Sequence, residues 1–259
     1  RLSSQMGNYP SDTAVEVRRE DDNSEDYLEP EFDLTALPEL VRDVELIRQR
    51  RDNTYLSLCG MRIGDEGVDT LCPYMAKDNT TTWIDLSRNN IRNNGVHMIC
   101  DILISNSTLT RLDLGANNFN GDAVFRIAEI LAKNSTLTHI DLHNNGIDDL
   151  GAAAIAESLK INNNLIHLNL YGNDIGHKGA VEYAVALRSN RTLKALNLDQ
   201  NRIDEDGHRE FAEIFYSCDV IVLERLRGIN LSSYGHLLFL HPPTGSLSND
   251  EILRMMREI

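Results

Sequence analysis

The feature that most restricts this chain is a repeat of fixed length. Leu86, Leu114, Leu142, Leu170 and Leu198 stand 28 residues apart, and Asn89, Asn117, Asn145, Asn173 and Asn201 keep step with them. One copy, from Leu109 to Asn117, reads Leu-Thr-Arg-Leu-Asp-Leu-Gly-Ala-Asn. In Leu-x-x-Leu-x-Leu the last two leucines fall on one face of an extended segment, because side chains alternate along a strand. The Asn three residues later sits where the chain turns, and its amide can bond backbone groups that the turn leaves unpaired. Units of one length, stacked side by side, bury their leucines against each other and align their Asn residues into a ladder.

The second half of each unit reads as a helix. Val68, Leu71, Cys72 and Met75 lie at i, i+3, i+4 and i+7, and the same stripe returns as Val96, Ile99, Cys100 and Leu103 and as Val124, Ile127, Ala128 and Leu131. This is the inward face of an amphipathic helix. A glycine opens most of these helices (Gly67, Gly95, Gly151, Gly179, Gly207), and the third column holds only small residues, so helix and strand backbones are expected to pack closely.

A strand plus a helix every 28 residues resembles the ribonuclease-inhibitor type of leucine-rich repeat, shared with NOD-like receptors and the Ran GTPase-activating proteins. The resemblance runs from about Asn53 to Ser217 and covers about six units. It implies an α/β fold, a right-handed horseshoe solenoid with parallel strands on the concave face and helices on the convex face. Such a fold is a binding frame and names no partner by itself.

The flanks read differently. Residues 1–33 are polar and acidic, with too few apolar side chains to repay ordering, and are expected to form a flexible tail. That tail is either a solubilising leader or a docking peptide built on Tyr27, Leu28 and Phe32. Residues 34–52 predict an N-terminal capping helix, with Thr35 as cap, Pro38 in the first turn and a stripe of Leu37, Leu40, Val41, Val44 and Ile47. The repeats then occupy 53–218, and 219–259 form a C-terminal cap. Within that cap, Val220–Leu223 reads as a closing strand out of register, since Glu224 stands where a leucine is due. Ser248-Asn249-Asp250-Glu251 is a capping box that opens a helix with Ile252, Met255, Met256 and Ile259 on one face. That helix belongs to the cap or binds a partner.

Net charge is −15, from 40 acidic against 25 basic residues. The balance argues against nucleic acid or an anionic membrane and favours a protein partner with a basic surface. No apolar run reaches the length of a membrane span, and Arg1-Leu2-Ser3-Ser4 does not read as a signal peptide. Cys72 and Cys100 share a column in neighbouring helices, roughly 8–10 Å apart, beyond the reach of a disulfide. They read as small core residues of a chain from a reducing, cytoplasmic compartment. Asn-x-Ser/Thr sequons occur at Asn79, Asn106, Asn134, Asn190 and Asn230. Four of them sit in the repeat's own helix-to-strand junction, so the repeat rather than glycosylation accounts for them.

Function is expected on the concave face, in the strand positions that are not leucine. One column runs Tyr55, Trp83, Arg111, His139, His167, Ala195; the next runs Ser57, Asp85, Asp113, Asp141, Asn169, Asn197; a third runs Cys59, Ser87, Gly115, His143, Tyr171, Asp199. Aromatic residues and Arg dominate binding hot spots, so Tyr55, Trp83 and Arg111 read as an anchor patch, unless Trp83 packs against the N-terminal cap. Asp85, Asp113 and Asp141 either steer a basic ligand or pair locally with Arg88, Arg111 and the histidines. His139, Asp141, His143 and His167 are close enough for a metal or an acid–base pair. An open sheet, however, offers no water-excluding pocket, so the expectation is a solvated partner-binding surface with no metal, no cofactor and no catalytic residue.

The leading reading is a non-enzymatic scaffold or adaptor. A second is a small-GTPase regulator similar to the Ran GTPase-activating proteins, in which a loop supplies a catalytic arginine. Here Arg88, Arg92 and Arg202 lie near strand ends, and no motif singles one out. A third is actin or cytoskeleton binding, as in the tropomodulins, which are shorter relatives.

Overall fold

The computed structural model describes residues 54–207, 210 and 228–230. The expectations for the acidic tail, the N-terminal capping helix and the terminal helix lie outside these residues. Seven three-residue strands run β1 (Tyr55–Ser57), β2 (Trp83–Asp85), β3 (Arg111–Asp113), β4 (His139–Asp141), β5 (His167–Asn169), β6 (Ala195–Asn197) and β7 (Gly228–Asn230). Between the first six lie α1 (Gly64–Lys77), α2 (Asn93–Ser105), α3 (Asp122–Lys133), α4 (Asp149–Leu159) and α5 (His177–Ser189). The strands pair in chain order into one open parallel sheet. The fold is a right-handed α/β horseshoe, because a strand–helix–strand crossover onto a parallel neighbour is right-handed in nearly all cases.

Repeat length sets the register. Tyr55 lies opposite Trp83, Trp83 opposite Arg111, Arg111 opposite His139 and His139 opposite His167. Each of β1–β6 buries its central residue, Leu56, Ile84, Leu112, Ile140, Leu168 or Leu196, against the helices. Pairing continues beyond the strands: the amides of Leu58, Leu86 and Leu114 donate to the carbonyls of Asp85, Asp113 and Asp141, each at 2.9 Å. The last step is longer. Ala195 pairs with Gly228, a displacement of 33 (228 − 195) in place of 28.

This places the strand beside β6 at Gly228–Asn230, where Val220–Leu223 was expected to close the sheet. The side-chain pattern gives the reason. Gly228-Ile229-Asn230 repeats the small–apolar–Asn order of Ala195-Leu196-Asn197, and the backbone register sets Ile229 opposite Leu196 and Asn230 opposite Asn197. Val220–Leu223 is apolar at every position and has no such alternation to fix a register. Those four residues lie outside the described ones.

The turn after each strand is held by the asparagine column. Asn117 Oδ1 accepts the amides of Asn89 and Ile91, each at 3.0 Å, while its Nδ2 donates to the carbonyls of Leu86, Leu114 and Gly115. Asn173 repeats this, Asn145 accepts the Asn117 amide and donates to Leu114, Leu142 and His143, and Asn201 accepts from Ile175 and donates to Leu170, Leu198 and Asp199. The residue before each ladder Asn has positive φ, Arg88 at 58°, Ala116 at 52°, Asn144 at 52°, Gly172 at 67° and Gln200 at 57°, and so does Gly60 at 70°, before Met61 at the equivalent position of the first unit. Left-handed backbone costs a non-glycine residue about 1–2 kcal/mol, so the ladder bonds must outweigh that strain at Arg88, Ala116 and Gln200.

Neighbouring repeats are tied at two further places. Asp149 Oδ1 accepts the amides of Gly176 and Gly179 at 2.7 and 2.9 Å, so one helix start braces the next. Gly179 allows this approach: a Cβ there would lie 2.8 Å from Asp149 Oδ1 and 2.9 Å from the Ala152 Cβ. At the helix ends a second asparagine series forms. Asn134, Asn162 and Asn190 donate to the carbonyls of Leu103, Leu131 and Leu159, and each accepts amides two and three residues ahead. Asn134 and Asn190 are sequon residues whose side chains are thus committed inside the array. Cys59, Cys72 and Cys100 are free thiols, and burial pushes Cys100 up to about 12. Among the described residues no helix is long and apolar enough to cross a membrane.

Candidate interaction face

Because each of β1–β6 buries only its central residue, the flanking side chains stand on the open face and repeat every strand. The first column forms two groups of contacts, Tyr55–Trp83–Arg111 and His139–His167. Tyr55 and Trp83 lie with centroids 4.2 Å apart and planes tilted by 42°. The Arg111 guanidinium sits 5.6 Å above the Trp83 ring, a cation–π contact. His139 and His167 stack at 4.3 Å, nearly parallel at 10°. Burial, then the neighbouring His167 and Arg111 charges, hold His139 down to about 4, and burial with Arg111 lowers His167 as well. Both imidazoles are therefore neutral near pH 7. Burial raises the Tyr55 phenol.

The second column plays a local role in every repeat. Asp85 Oδ1 accepts the Ser87 amide at 3.0 Å, Asp113 that of Gly115 at 2.8 Å and Asp141 that of His143 at 3.0 Å. Asn169 and Asn197 do the same for Tyr171 and Asp199, at 3.1 and 3.0 Å. Each is an Asx turn that ends the strand, and it needs one oxygen and no charge. Three repeats nevertheless place a carboxylate there. Burial and the adjacent Asp141 push Asp113 up to about 7.

Beside this row His143 Nδ1 pairs with Asp141 Oδ1 at 2.7 Å, and this bond raises the imidazole above its usual range. Asn169 Nδ2 donates to the other Asp141 oxygen at 2.8 Å. Tyr171, next to His143 in the third column, is exposed. Spacing grouped His139, Asp141, His143 and His167; the geometry divides them. His139 and His167 stack on each other, while His143 joins Asp141 and Asp113. The part of Gly115 was missed: its missing Cβ is what leaves room for the His143 ring. The signal was present as the one glycine in a column of side chains. Among the turn arginines, Arg88 adopts a left-handed backbone and Arg202 pairs with Asp174 at 2.9 Å.

Comparison with known proteins agrees on the repeat. A family model described as Leucine Rich repeat matches residues 105–128, 133–156, 162–182 and 189–212. No curated protein matches the sequence. Among solved structures the chain is similar to the leiomodin-1 actin-binding site 2, at 21% identity and TM-score 0.47, over 64% of this chain and 90% of that one. It is also similar to an internalin from Listeria monocytogenes str. 4b F2365, at 15% identity and TM-score 0.30, over 62% of this chain and 51% of that one. Four matched units, each with a parallel strand, show leucine-rich repeats between residues 105 and 212.

Proposed function

We propose that the chain is a non-enzymatic interaction module of the ribonuclease-inhibitor repeat type, which holds a basic segment of a protein partner against its strand face. The observation that carries this is the charge of the second column. Asn169 and Asn197 make the same turn bond as Asp85, Asp113 and Asp141, so the turn itself does not call for a negative charge, and Asp113 is held against burial and like-charge repulsion. Lys or Arg from a partner relieves that repulsion. Trp83, in contact with Tyr55 and Arg111, supplies an aromatic anchor beside the acidic row. His139, His143, His167 and Tyr171 extend the same face. The free thiols support a reducing, cytoplasmic setting.

The test is affinity capture with the wild-type chain and a Trp83→Ala/Arg111→Glu variant side by side. The proposal expects a partner bearing a Lys/Arg-rich segment, released by salt and lost with the variant. Equal capture by both would move binding off this face. Acceleration of GTP hydrolysis by the chain, abolished by Arg88→Ala, Arg92→Ala or Arg202→Ala, would replace the module with a GTPase regulator.

A further inference from the structure

Asp113, Asp141 and His143 each bring a ligand atom to within 4.8 Å of the others, from two adjacent strands. The imidazole reaches the pair because position 115 is glycine. A Cβ there would lie 1.9 Å from His143 Cε1 and 2.0 Å from Nδ1, so any larger residue would expel the ring. Ser87 and His143 itself hold the equivalent positions in the flanking repeats. An ion pair with Asp141 accounts for one side of His143 and leaves Asp113 unexplained. The only hydrogen bond to the Asp113 carboxylate, among the described residues, comes from the Gly115 amide, though it lies register-opposite to Asp141.

Two carboxylates and an imidazole are a mixed oxygen and nitrogen donor set, which suits zinc and similar first-row divalent ions. Metal–ligand bonds of about 2.0–2.2 Å place donors about 3.3 Å apart, within reach of small side-chain rotations from the present spacing. All three side chains are half-buried, which leaves further coordination positions facing solvent. We propose that Asp113, Asp141 and His143 form a divalent-cation site of the zinc type, with its open position available to water or to a donor from a bound partner. The site goes beyond the interaction module and does not depend on it. A bound cation cancels the charge at the centre of the acidic row, so cation and basic partner oppose each other there.

The test is a calorimetric titration of the metal-free chain with Zn²⁺ alone near pH 7.5, in a Cys59→Ser background that removes the exposed thiol. One ion per chain is expected, with affinity falling about tenfold or more in Asp113→Asn, in His143→Gln and in Gly115→Ala, and unchanged in His139→Gln. Thermal melts establish that each variant folds, and the imidazole resonances of His143, but not those of His139, should shift with added Zn²⁺. No binding by the wild-type chain, or binding that survives both Asp113→Asn and His143→Gln, overturns the site. A positive titration alongside failed partner capture keeps the site and removes the module; partner capture with no Zn²⁺ binding does the reverse.

Discussion

Two columns of this array are built from asparagine and aspartate at the same 28-residue period, four positions apart, and they obey different rules. The ladder column, Asn89 to Asn201, is asparagine at every step. Its oxygen accepts amides of the preceding turn while its nitrogen donates to carbonyls of both turns, and the first four members are buried. Only a side chain with both a donor and an acceptor satisfies that position. The strand-end row, Asp85 to Asn197, needs one acceptor for its Asx turn and uses Asp three times and Asn twice. Where geometry demands two roles the residue is fixed; where it demands one, charge is left free for another purpose.

The comparison breaks first in the core. Leu142 is fully buried between repeats, so Leu142→Asp should collapse the array cooperatively. A circular-dichroism melt like that of the wild type would sink the stacking of identical units. In the ladder, Asn145→Asp removes a donor shared by the carbonyls of Leu114, Leu142 and His143 and buries a charge, with an expected cost of about 3 kcal/mol or more. The matching change in the row, Asn197→Asp, keeps the turn acceptor and should stay within about 0.5 kcal/mol in denaturant unfolding. Equal costs would erase the distinction between the columns.

Smaller effects sharpen it. Asp113 has its folded value raised to about 7 from 3.8. Between those values the folded chain holds a proton that the unfolded chain has released, so stability falls as pH rises through that window. Asp113→Asn should therefore melt above the wild type at pH 8 and match it near pH 4; the opposite order at pH 8 would show that the carboxylate stabilises the fold. His143, also raised, contributes with the same sign. His139, lowered to about 4 from 6.5, contributes with the opposite sign, and its share is lost as pH falls through that range. Smallest in stability is Trp83→Ala, which should leave the melt nearly unchanged and weaken partner binding.

Period and pattern made most of the fold legible. The 28-residue step fixed which residues face the core and which strand positions are neighbours, so the first column could be written in order from Tyr55 to His167. The closing strand was not legible by period, because the chain inserts five residues before Gly228 (33 − 28), and only the small–apolar–Asn pattern marks it. On the face, spacing showed which residues are adjacent and not which way a ring turns. His143 leans toward Asp113 and away from the stacked histidines because Gly115 leaves the space, a relation between columns that a single column does not reveal. The second asparagine series was legible only as a junction of the repeat, with Asn134 and Asn190 in sequons and Asn162 in none; its bonds to the preceding repeat were not.

The most direct test of the central claim is the thermal melt, at pH 8 and in the absence of divalent ions, of the triple variant Asp85→Asn/Asp113→Asn/Asp141→Asn. If the row's charge serves binding and not folding, the variant keeps its Asx turns and melts at or above the wild-type temperature. A clear fall in melting temperature would contradict the account and make the three carboxylates part of what holds the array together.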